Sequence, residues 1–171
     1  MVKLTGIILA VIGCTCIGLL KASDISRRKA LLLDFKNLIL HISTEISYFK
    51  EPLPQIFQRL SGENEKETGL LLRNCLATYL TDSRNLGSGW KDAVDFVYGE
   101  LPVTKSDIEI MKKCGDFLGQ SDFRGQQEHF ALLYSQLDRQ IEEAEEMIKT
   151  KGKMYSRLGL SAGCMIAVVL I

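Results

Sequence analysis

The stretch "KALLLDFKNLILHISTEISYFK", Lys29 to Lys50, decides the fold class. Within it Leu31, Phe35, Leu38, Ile42, Ile46 and Phe49 recur at steps of three and four, the spacing that lays one apolar stripe along a helix. Downstream, "EPLP" (residues 51–54) interrupts the ladder, because Pro52 and Pro54 cannot donate a backbone hydrogen bond. Proline is tolerated in a first helical turn, so the same residues open a short helix carrying Leu53, Ile56, Phe57 and Leu60, closed near Ser61-Gly62. Leu72, Cys75, Leu76, Tyr79 and Leu80 mark a third helix, ended by "TDSRNLGSG" (residues 81–89). Ser88 is then the expected cap of a helix with Trp90, Ala93, Val94, Val97 and Tyr98. Thr104 with Asp107 forms an acidic capping box for a helix through Ile108, Met111 and Leu118. Gly119 can end that helix, and Ser121 or Asp122 can cap the last one. The last one is long, with Phe123, Phe130, Tyr134, Leu137, Ile141, Ala144, Ile148 and Tyr155 in a heptad-like period. No segment alternates long enough for a strand. The expected class is all-α, a bundle of about six helices.

Outward from the bundle, both ends turn apolar. Leu4 to Leu20 is a run of seventeen uncharged residues between Lys3 and Lys21, and fourteen uncharged residues follow Arg157. As a helix the first run covers about 26 Å, close to the ~30 Å hydrocarbon thickness of a bilayer. The second covers about 21 Å, or about 27 Å when its helix starts at Met154 and Tyr155 and Arg157 snorkel to the headgroups. Two transmembrane helices are expected: residues 1–21 and residues 154–171, with a cytoplasmic helical bundle at 22–153 between them. A cleaved signal peptide lacks a clean small-x-small site here. Val11-Ile12-Gly13-Cys14 is lipobox-like, but the apolar run continues past Cys14. Gly6, Ala10, Cys14 and Gly18 form a strip of small side chains on the first span, and Gly159, Gly163 and Ala167 form another on the second. Such strips permit close helix packing in lipid, within one chain or between copies.

The charges orient this arrangement. Lys21, Arg27, Arg28 and Lys29 follow the first span, and Lys149, Lys151, Lys153 and Arg157 precede the second. The positive-inside bias therefore places the middle in the cytoplasm and both termini outside. The chain holds 21 Lys/Arg against 21 Asp/Glu, and all but Lys3 lie within residues 21–157. Such a domain has no broad cationic field for nucleic acid, whereas its bases cluster at the membrane ends, where they can attract an anionic membrane surface.

No catalytic constellation emerges from the residue types. Of five cysteines, Cys14, Cys16 and Cys164 lie in the apolar runs and Cys75 and Cys114 at apolar helical positions. None forms a CxxC pair or a zinc-spaced cluster, so packing is the expected role. His41 and His129 stand apart from any nucleophile motif, no HExxH or P-loop occurs, and Trp90 reads as a core anchor. No cofactor and no metal are expected. Glu142, Glu143, Glu145 and Glu146 form an acidic patch on the long helix. It reads either as a solvated face or as a docking surface for a basic partner.

Two longer stretches carry a resemblance. "HISTEISYFKEPLPQIFQRLS" (His41–Ser61) and "KCGDFLGQSDFRGQQEHFALLYSQL" (113–137), the second with Gly115, Leu118, Gly119, Asp122 and Gln127, resemble the stage III sporulation protein AB family. The resemblance covers nearly the whole chain. Cys114 departs from it, since an aromatic or larger apolar residue is expected there. The family is similar to the F-type inner-membrane platform proteins of type II secretion and type IV pilus systems. The resemblance thus implies a platform or scaffold subunit, not an enzyme, of a secretion-like channel joining mother cell and forespore in an endospore former. It implies a motor ATPase and other membrane subunits as partners, and a location on the mother-cell side of the outer forespore membrane. The alternative is a generic membrane-tethered helical adaptor or sensor, and self-association stays open.

Overall fold

The computed structural model describes residues 2–49, 51–82, 85–118, 123–152, 154, 161 and 165, with the side chains of 2–11, 14, 15, 49, 82, 123–127 and 152 excepted. Among the described residues six α-helices follow in order: α1 Val2–Phe49, α2 Leu53–Glu63, α3 Glu67–Asp82, α4 Leu86–Tyr98, α5 Lys105–Phe117 and α6 Phe123–Met147. A π-helical turn, Ile148–Gly152, follows α6. No strand occurs among the described residues. The chain divides into two compact units, residues 30–141 and residues 1–29 with 142–171.

In the unit of residues 30–141, the first four positions of the α1 stripe pack as their spacing demands, while Ile46 is half-buried. Leu31, Phe35, Leu38 and Ile42 are buried, and so are Leu32 and Ile39 beside them. The buried face is wider than a single stripe because α1 is covered from more than one side. Phe35 meets Trp90 and Tyr98 of α4, each at 6.1 Å between ring centroids, the second edge-on. Phe57 of α2 reaches Trp90 at 5.8 Å. From another direction α6 contributes Tyr134, whose hydroxyl donates to the Ile39 carbonyl at 3.3 Å and meets the Ser43 hydroxyl at 2.7 Å. Trp90 has no exposed surface, and its indole N–H donates to the Met111 carbonyl of α5 at 2.9 Å. It is the core anchor that its position in the α4 stripe suggests, because one large side chain fills the space among four helices while its single polar atom stays satisfied.

Local chemistry explains the helix starts. Pro52 stands at the N-cap of α2 with Pro54 in the first turn. Asn64 shapes the entry to α3: its side-chain oxygen accepts from the Lys66 N–H at 2.9 Å, and its amide donates to Thr68 Oγ1 at 2.7 Å. The α5 capping box is present as expected. Asp107 accepts from the Thr104 N–H at 2.7 Å, and Thr104 accepts from the Asp107 N–H at 3.2 Å. The expected Ser88 cap is corrected. Asn85 caps α4, its side chain accepting from the Gly87 N–H at 3.2 Å, so the helix begins ahead of Ser88. The Ser88 hydroxyl instead donates to the Asn85 carbonyl at 2.7 Å. Asn85 takes the role because the helix starts at Leu86, which leaves Ser88 inside its first turn. The expected stop at Gly119 and caps at Ser121 or Asp122 lie outside the described residues.

Gly87 and Gly115 let α4 and α5 cross closely. A Cβ built on Gly87 would lie 2.3 Å from the Gly115 carbonyl oxygen, and one built on Gly115 would lie 2.8 Å from the Gly87 oxygen and 3.0 Å from Trp90. Gly115 belongs to the stretch that carries the family resemblance, and this crossing gives its physical reason.

In the unit of residues 1–29 and 142–171, ionic contacts join α1 to α6. Arg28 is 4% exposed, with Nη1 donating to Met147 Sδ at 3.4 Å and Nη2 lying 3.9 Å from Glu143. Lys29 bonds Glu145 at 3.3 Å. Among the described residues no helix is long and apolar enough to cross a membrane. Leu4–Leu20 lies on α1, whose backbone is helical from Val2. Most of that run's side chains, and nearly all of 158–171, fall outside the description.

Candidate docking face

The acidic patch begins where α6 presents Ile141 and Ala144 to the interior, which turns the intervening glutamates outward. Structure divides the four. Glu145 bonds Lys29 of α1 and, at 3.0 Å, Lys149 one helical turn ahead. Those hydrogen bonds, from Lys149 first and then Lys29, hold its carboxyl below the usual glutamate range. Glu143 lies beside the buried Arg28. Glu142 and Glu146 are exposed, one turn apart and therefore on the same side of the helix. Sequence alone hides most of this division, because Arg28 and Lys29, which engage Glu143 and Glu145 beside the local Lys149, lie on α1, more than a hundred residues earlier.

The remaining candidates sort by environment. Cys75 and Cys114 are fully buried. Burial pushes the Cys75 thiol up to about 12 and raises Cys114 as well, which keeps both as thiols. A neutral buried thiol packs as a small apolar group and is a poor nucleophile. Cys16 is exposed. His129 stacks on Phe117, ring centroids 4.1 Å apart and planes within 7°. His41 lines a shallow groove of about 240 Å³ with Asp34, Asn37, Glu63, Asn64 and Thr68, and Lys66 bonds Asp34 there at 2.9 Å. Among the described residues no group of three or more His, Cys, Asp or Glu side chains could hold a metal ion. Of the small-residue strips, Gly18 is buried, and Gly6, Ala10 and Cys14 are described in their helical backbone only. Gly159, Gly163 and Ala167 lie outside the described residues.

A helical unit with buried thiols, an aromatic core and a charged face on its last helix narrows the class without identifying it. The profile of the family described as Stage III sporulation protein AB matches residues 3–171. The chain belongs to the stage III sporulation protein AB family. It is similar to the Stage III sporulation protein AB of Bacillus subtilis (strain 168), at 25% identity over 171 residues that cover the whole of both chains. A solved stage III sporulation protein AB structure shares the fold with a TM-score of 0.65 and 22% identity, covering 71% of this chain and 96% of that one. The family resemblance read from His41–Ser61 and from residues 113–137 is thereby established, and with it a place among sporulation proteins.

Proposed function

We propose that this family member is a membrane-anchored platform or scaffold subunit of a sporulation-specific, secretion-like channel complex between mother cell and forespore. Residues 1–21 and 154–171 are its anchors, and the helical bundle of 22–153 faces the cytoplasm on the mother-cell side. The observation that carries this reading is a family match running from residue 3 to 171, which takes in the bundle and both apolar runs as one unit. Charge supports it as well: no acidic residue occurs before Asp24 or after Glu146, so the bases flank the apolar runs. The bundle offers a motor ATPase a rigid surface, because Trp90 ties α1, α2, α4 and α5 into one core. Glu142 and Glu146 are the part of the acidic patch free to meet a basic partner. Detergent extraction from sporulating cells, followed by capture of the tagged chain, tests the reading. A hexameric ATPase should co-purify with other membrane subunits. Recovery of the chain alone, under conditions that keep it folded and membrane-derived, would reject the platform role.

A further inference from the structure

The basic residues near the apolar runs do not share one task. In the unit of residues 1–29 and 142–171, Arg28 and Lys29 are committed to α6 through Met147, Glu143 and Glu145. About two turns farther along α1 stands Lys21, exposed and engaged by no ion pair among the described residues. Immediately beyond it Leu20, Leu19 and Ile17 are 65%, 53% and 64% exposed, and Ile12 follows at 57%. The other chain segment repeats the sequence of events. Past Glu145 come Lys149 and Lys151, both exposed, then Met154 at 45% and Met165 at 70% exposure. The antiparallel pairing of Lys29 with Glu145 and Arg28 with Met147 sets the register. On α1 the exposed Lys21 borders exposed apolar side chains, and on the other segment the exposed Lys151 is followed by the exposed Met154 a similar distance beyond that pairing.

We infer that Lys21 and Lys151, with the apolar side chains just beyond them, form a belt that binds the phosphates of anionic phospholipids, while Arg28 and Lys29 are withheld from lipid by their contacts to α6. The inference rests on the anchored reading above and adds a lipid class and the residues that select it. Exposed apolar side chains bordered by lysines with no ion pair among the described residues, and no acidic residue before Asp24 or after Glu146, match a bilayer whose headgroups are negative. Lys149 contributes less, because Glu145 partly neutralises it at 3.0 Å. A base near an anionic surface favours binding by about fivefold, so two of them give a selectivity that lipid analysis resolves.

The test uses the full chain reconstituted in vesicles of phosphatidylcholine with phosphatidylglycerol, extracted gently, with the retained lipids quantified. The wild-type chain should retain phosphatidylglycerol over phosphatidylcholine by at least about fivefold. Lys21→Gln with Lys151→Gln should lose most of that preference with helix content unchanged, whereas Lys29→Gln and the distant Lys113→Gln should keep it. Excess inorganic phosphate should not displace the lipid; if it does, the site takes free phosphate and the lipid assignment falls. Stable insertion with equal retention of both lipids overturns the belt alone. Failure of the wild-type chain to insert into vesicles of either composition overturns the anchored reading as well.

Discussion

Gly87 and Gly115 set how closely α4 and α5 approach, and each stands against the other's backbone, which cannot move aside as a side chain tip could. Gly87→Ala should therefore cost about 1–3 kcal/mol, the range typical of overpacking a tight core, seen as a lower denaturant midpoint with an unchanged slope. Equal midpoints for variant and wild type would show that the crossing has slack. Tyr98 poses the opposite case. It has no exposed surface, and its hydroxyl has no hydrogen-bond partner among the described residues. Because an unsatisfied buried hydroxyl carries its full desolvation penalty, Tyr98→Phe should be neutral or stabilising by up to about 1 kcal/mol. A clear loss of stability would reveal a partner for that hydroxyl. At this scale the sequence is half legible. Trp90 announces itself as an anchor because a lone tryptophan in a helical stripe has few other places to go. The glycine crossing does not, because each glycine is explained only by a residue on another helix.

Stripes and caps mark the elements in the sequence, and both signals are local. The α5 capping box is complete within Thr104 to Asp107, so nothing distant could overrule it. At α4 two residues competed for one role, and Asn85 takes it because the helix extends back to Leu86. On α6 the local pattern shows four clustered glutamates but not which ones α1 already occupies. The division of that patch makes a specific prediction. Reversing Glu142 and Glu146 to lysine should weaken capture of the motor ATPase, more steeply as salt is lowered, with helix content unchanged. Reversing Glu145 should instead loosen the contact with Lys29 and lower thermal stability. If the Glu142 and Glu146 reversal leaves capture unaltered at every salt concentration, the exposed acids are only a solvated surface.

For the whole molecule, the buried neutral acids set a pH limit. Cys75, Cys114 and Tyr98 are all raised by burial, from ordinary values of 9.0, 9.0 and 10.0. A raised acid keeps its proton in the fold while the unfolded chain releases it. Their contribution to stability is therefore complete below about pH 9 and falls as pH rises toward 12, which an alkaline melting series should show. Replacing Cys75 and Cys114 by alanine should flatten that decline, and an identical profile in the variant would assign the loss to other groups. The all-α class was legible because six periodic segments agreed with one another, and the family because ordered motifs agreed over most of the chain. Partners are not legible, since recognition through surfaces leaves no set of residues with fixed spacing to read. The claim on which the account most depends is that the chain is anchored at both ends with its bundle in the cytoplasm. A reporter active only in the cytoplasm, inserted at Asn64 in one fusion and joined to Ile171 in another, measures this directly in sporulating cells. The account predicts activity from the Asn64 insertion and none from the Ile171 fusion; an active Ile171 fusion would contradict it.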